Sequence, residues 1–140
     1  MQKYKSRKDV PDKYKWDLTA FFKSNEEFEK KYKDSETKIE KIKDYVGCTK
    51  DANKLYEFLE FSTKLESVIE NLYVYAYLIN DQELGISKNM ERKAKAEDLY
   101  KLAIEKGTPV VEKATDEVRK QALKVVKEME KKLSTDKKEK

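Results

Sequence analysis

From Leu55 to Ile79 the core-type residues return at steps of three and four without a break: Leu55, Phe58, Leu65, Ile69, Leu72, Ala76 and Ile79, with Ser62 the one polar member. Only a helix gathers such a series on one stripe, and a lone helix cannot bury it, so partner helices are required. The segment Leu72-Tyr73-Val74-Tyr75-Ala76-Tyr77-Leu78-Ile79 is crowded with aromatic and branched side chains and reads locally as a strand. The stepping that continues through it decides for helix. With 3 glycines and 2 prolines in 140 residues, the tight turns of an antiparallel sheet have almost nothing to be built from.

The same reasoning supplies the partners. Ser24 followed by Glu27 is a capping box, and Phe28, Tyr32, Ile39, Ile42 and Val46 then fall on one face, so a first helix is expected over 24–46, with Gly47 as its stop. Asp51 caps the second helix, 52–80. Ser87 caps a third, 87–106, which carries Met90, Ala94, Leu99, Leu102 and Ala103 to a stop at Gly107. Thr108-Pro109 is a good start for a fourth, 109–133, with Val111, Ala114, Val118, Ala122, Val125, Met129 and Leu133 on one face, expected to pack on the other three. The fold class is therefore all-α, a three- to four-helix antiparallel bundle with an extended N-terminal arm. The expected divisions are an arm at 1–23, a three-helix region at 24–107, an additional helix at 108–133 and a disordered tail at 134–140. Phe28, Tyr32, Ile39, Ile42, Leu55, Phe58, Leu65, Ile69, Leu72, Ala76 and Leu99 should form the core.

Charge excludes more than it suggests. The net +4 comes from 32 basic and 28 acidic residues interleaved along the chain, so opposite signs cancel locally and no nucleic-acid partner is expected. The first residues are polar and no apolar run follows, so no membrane partner is expected and residence is cytoplasmic by default. Cys48 is the one cysteine and is expected to be an ordinary loop or helix-end residue.

Three blocks carry a resemblance. Arg7-Lys8-Asp9-Val10-Pro11, Tyr14-Lys15-Trp16-Asp17-Leu18 and Phe22-Lys23-Ser24 are similar to the opening of the oligoendopeptidase F family. Leu55-Tyr56-Glu57-Phe58-Leu59 and Leu72-Tyr73-Val74-Tyr75-Ala76-Tyr77-Leu78 resemble its second helix, and the run from Lys95 to Leu102 its third. The resemblance implies a helical wall over a channel that admits short peptides, in an enzyme whose zinc is held by His-Glu-x-x-His and a downstream Glu. This sequence contains no histidine, so that zinc site cannot be built from it, and no catalytic or metal residue is carried over.

Trp16, Tyr73, Tyr75 and Tyr77 are the candidate contact residues, because aromatic rings offer stacking area with a polar edge. Helical aromatic stripes more often serve as core, and Tyr75 is expected to be the most exposed, being off the Leu72, Ala76 and Ile79 face. Paired acids at Glu26 and Glu27, Glu57 and Glu60, and Glu66 and Glu70 have lysines nearby and read as solvated faces. The expected function is a non-catalytic helical module contacting short peptides or a catalytic domain, as a monomer or weak dimer, with no cofactor of its own. The alternative is a stand-alone helical oligomerisation protein that pairs through the heptad of the second helix.

Overall fold

A computed structural model of the chain describes residues 4, 5 and 7–136. Among these the fold is all-α, with no strand: helices α1 (Asn25–Glu40), α2 (Ala52–Gln82) and α3 (Ser87–Asp136) are joined and preceded by short 3-10 turns.

Helix α1 begins where the capping box sets it. The Ser24 hydroxyl accepts from the Glu27 amide at 3.3 Å, while the Glu27 carboxylate reaches back to the Lys23 amide at 2.9 Å. The α-helix ends at Glu40, six residues short of the expected boundary, and tightens into a 3-10 turn at Ile42–Tyr45. That tightening turns Ile42 into the core and sets Tyr45 against Phe58 and Phe61, at ring distances of 5.4 and 5.2 Å, while Val46 is left exposed. Gly47 then reverses the chain at φ 81°, a left-handed conformation that a Cβ would disfavour. Asp51 caps α2 by accepting from the amides of Asn53 and Lys54.

Cross-helix contacts fix the directions. Lys95 meets Glu29 at 3.6 Å and Lys106 meets Glu40 at 3.7 Å, so α1 and α3 advance together. Tyr77 meets Glu97 while Tyr73 meets Tyr100, so α2 runs against α3. As the middle helix, α2 faces both neighbours and needs a wider apolar arc than one stripe. This explains Tyr75, which is buried at 6% exposure rather than being the exposed tyrosine the stripe suggested: its ring packs on Phe22 at 5.0 Å and Phe28 at 5.6 Å. Of the expected core, Phe28, Ile39, Ile42, Phe58, Leu65, Ile69, Leu72, Ala76 and Leu99 are buried, and Tyr32 and Leu55 pack against them half-buried. Cys48, Ala96 and Val110 join the core as well.

The largest departure is in α3. Ser87 is its first helical residue rather than its cap, with the Ile86 carbonyl accepting from the Met90 amide at 3.2 Å. The helix then runs through Gly107 and Pro109 with no break, so the expected third and fourth helices are one. Two features make this physically tolerable. Gly107 keeps a helical rather than left-handed backbone, and the Thr108 hydroxyl donates to the Ile104 carbonyl at 2.7 Å, tying the residue before the proline to the preceding turn. Val110, 1% exposed, anchors the chain to the core just past the proline. Beyond it Ala114 and Glu117 are half-buried and the Thr49 hydroxyl donates to the Glu117 carboxylate, but Val118, Val125 and Met129 are exposed, so from Val118 on the helix does not pack as a fourth helix was expected to. Helix extends to Asp136 into the expected tail, and residues 137–140 lie outside the described residues.

The N-terminal segment is not a plain extended arm. It is a chain of 3-10 turns at Arg7–Asp9, Asp12–Tyr14 and Leu18–Ala20, the last capped by the Asp17 carboxylate on the Thr19 amide. Its aromatic anchor is Phe22, which is buried against Phe28, whereas Trp16 is 67% exposed.

Candidate functional site

The face shared by α2 and α3 holds the clearest concave surface. Its upper part is a tyrosine ladder: Tyr73 and Tyr77, one turn apart on α2, stack at 4.4 Å, and Tyr100 of α3 lies 5.5 Å from Tyr73. Tyr73 and Tyr77 are half-buried, so an edge of each ring faces solvent. Opposite them, Glu97 accepts from the Tyr77 hydroxyl at 2.5 Å and the Lys93 ammonium sits 4.1 Å above the Tyr77 ring. The Glu97 carboxylate, helped by the Tyr73 hydroxyl, holds the Tyr77 phenol well above its ordinary pKa, so it stays a neutral donor.

Below the ladder the two helices border an open groove of about 400 Å³. Its floor is apolar, with Leu65 and Ile69 from α2 and Ile104 and Val111 from α3, and its α2 edge carries Glu66 and Glu70. Gly107 lines the same groove, and a Cβ placed there would meet nothing within 4 Å. This is the size and character of a surface that takes an apolar side-chain row, with carboxylates at the edge to select what accompanies it.

Of the four sequence candidates, the fold brings Tyr73 and Tyr77 together at the head of this groove. Tyr75 faces the opposite way into the core, and Trp16 sits on the N-terminal segment, its carbonyl accepting from the Gln82 side chain at 3.4 Å near the end of α2. Ile104, Gly107 and Val111 were missed as a surface because Gly107 was read as a helix stop, which placed them on two different elements. Their spacing of three and four was the signal, had the helix been continued through it.

Metal chemistry finds no donor set here. Among the described residues no group of three or more His, Cys, Asp or Glu side chains is placed to hold an ion, and the sequence has no imidazole at all. Cys48 is buried at 2% exposure, packed as a small apolar residue. Among the described residues no helix is long and apolar enough to cross a membrane.

Comparison with known proteins points to one group of enzymes. The chain is 34% identical over 96 residues to the Group B oligopeptidase PepB of Streptococcus agalactiae, covering 68% of this chain and 16% of that protein. It is 33% identical over 98 residues to the plasmid oligoendopeptidase F of Lactococcus lactis subsp. cremoris, covering 69% and 16%. Against the oligopeptidase PepF of Bacillus subtilis it is 32% identical over 95 residues, covering 67% and 14%. The chain thus spans about one sixth of the length of the curated relatives it matches. No family model matches, and no solved structure matches. Over about two thirds of its length this all-helical chain is similar to the N-terminal region of the oligoendopeptidase F enzymes.

Proposed function

We propose that the chain is a non-catalytic helical module, residing in the cytoplasm, that contacts a peptide or protein segment through the α2–α3 groove. The observation that carries this reading is the groove itself: an unfilled apolar floor between two helices that are otherwise well packed, headed by half-exposed tyrosines and edged by Glu66 and Glu70. A cleft of that make-up binds side chains and offers no group placed to attack a peptide bond. The similarity to oligopeptidases supports a surface adapted to peptides, and the lack of any histidine argues that their chemistry is not performed by these residues.

The zinc of the resembled family does not fit this chain, since one buried thiol and dispersed carboxylates replace the imidazole pair that such a site requires. Metal analysis of the purified chain should find no stoichiometric zinc, and fluorogenic oligopeptides should not be cleaved above background. Adding short apolar peptides should shift the NMR signals of Ile69 and Ile104. One tightly held zinc per chain, or peptide-induced shifts confined to residues away from the groove, would overturn the reading. Burial of Phe58, Leu65, Ile69, Leu72 and Ala76 in the chain's own core argues against the pairing of two chains through the α2 heptad.

A further inference from the structure

A single apolar line runs along α3 outside the core. Ile104, Val111, Val118 and Val125 recur every seven residues and are 54, 54, 55 and 48% exposed. Tyr100 and Met129 extend the line at its ends, and the small residues Gly107, Ala114 and Ala122 fill the positions between. At 3.6 residues per turn these positions hold to one narrow face for about 40 Å of helix. The upper part of the line is the α3 wall of the groove, while the lower part faces solvent: Val118, Val125 and Met129 are all exposed. The protein therefore presents both an empty apolar groove and a solvated helix bearing an apolar stripe.

The charges of these two features are opposite. The stretch 118–127 carries Arg119, Lys120, Lys124 and Lys127 and no acidic residue. The groove is edged by Glu66 and Glu70, and no Lys or Arg lines it. By helical geometry Arg119 falls on one side of the apolar line and Lys124 on the other, while Lys120 and Lys127 lie on the far face, so a helix laid in the groove presents one cation at each edge.

We propose that the distal half of α3 from one copy lies antiparallel in the α2–α3 groove of a second copy, and reciprocally, forming a twofold dimer. The proposal rests on the reading of the groove as a contact surface and names its occupant. One register satisfies the whole line. With Val111 against Val118 of the second copy, Ile104 meets Val125, Gly107 meets Ala122 and Tyr100 meets Met129. Gly107, where a Cβ would meet nothing, leaves room for the Ala122 methyl at the closest approach. The arrangement is isologous, each copy giving and receiving the same surface, so it closes at two.

Sedimentation equilibrium of the full chain tests this. The expected result is a monomer–dimer equilibrium that shifts to dimer with concentration. The double change Val118→Glu with Val125→Glu is made on residues exposed in the single chain. It should abolish the dimer and leave the thermal melt of the dilute protein unchanged. Glu66→Lys with Glu70→Lys should weaken the dimer at least tenfold, and adding Arg119→Glu with Lys124→Glu should restore it. A monomer at every attainable concentration overturns the proposal, as does a dimer indifferent to the valine changes. A monomeric chain whose Ile69 and Ile104 signals still respond to added short peptides refutes self-docking while sparing the groove as a peptide surface. Absence of both responses refutes the two readings together.

Discussion

Replacing Gly107 by alanine distinguishes a continuous α3 from two helices meeting at a turn, because the two arrangements predict opposite signs. In the continuous helix Gly107 has ordinary helical backbone geometry and open space where a Cβ would go. Alanine there removes the extra backbone freedom that glycine loses on folding, stabilising the helix by about 1 kcal/mol. Ala103 packs against the core on one side of it and Val110 is buried on the other, so the segment unfolds with the core and the gain should appear in the global transition. For a chain of this size the unfolding entropy converts that gain into a rise in Tm of about 3 °C. If Gly107 instead closed a helix in the left-handed conformation, alanine would be strained and would destabilise by about 1 kcal/mol or more. Urea unfolding followed by far-ultraviolet circular dichroism, in protein dilute enough to be monomeric, reads the sign directly. A lower midpoint for Gly107→Ala would refute the continuous helix.

Leu72 is fully buried at the centre of α2, so Leu72→Ala should lower stability by about 3 kcal/mol through lost transfer energy and a residual cavity, measured by the same urea titration. Leu65→Asp or Ile69→Asp should leave no cooperative transition at all, since each would put an unpaired charge in the core. Asp51→Ala removes the acceptor for two amides at the start of α2 and should cost about 1 kcal/mol, largely recovered by Asp51→Asn. The Thr19 hydroxyl and amide hold the Asp17 carboxyl below its ordinary pKa, so its cap stabilises the Leu18–Ala20 turn above the unfolded carboxylate's pKa and that support is lost as pH falls through the lower, folded value. The Thr19 amide signal should follow this acid titration, and Asp17→Asn should flatten it.

The parts of the fold legible in the sequence are those governed by local rules. Ser24 and Asp51 are caps whose own partners lie within three residues, and both accept the amides their spacing implies, while the Glu27 carboxylate reaches one residue past Ser24 to the Lys23 amide. The α2 stripe was readable because each step of three or four residues is independent evidence for the same face. What could not be read was the number of neighbours that α2 would have. Tyr75 lies off the stripe facing α3, and only the arrival of α1 and Phe22 on α2's other side buries it. The same reason separates Tyr75 from Tyr73 and Tyr77, which are near it in sequence yet face α3 and the solvent.

Helix α3 shows how a strong local signal can be outweighed. Gly107 followed by Thr108-Pro109 combines a helix-stop residue with a helix-start motif, and both propensities are real, worth about 1 and about 3 kcal/mol in a helix interior. They are also one-sided, because each describes what the isolated backbone prefers and neither counts what a break would undo. Ending the helix at Gly107 would detach Val110 from its buried position and leave Thr108 without the Ile104 carbonyl it now bonds. The side chains on both sides of the junction keep one phase, Ile104 to Val111 to Val118, so continuing the helix preserves a single apolar line that a turn would split. That phase was present in the sequence from the start. A glycine and a proline interrupt a helix when the apolar register changes across them, and here the register does not change.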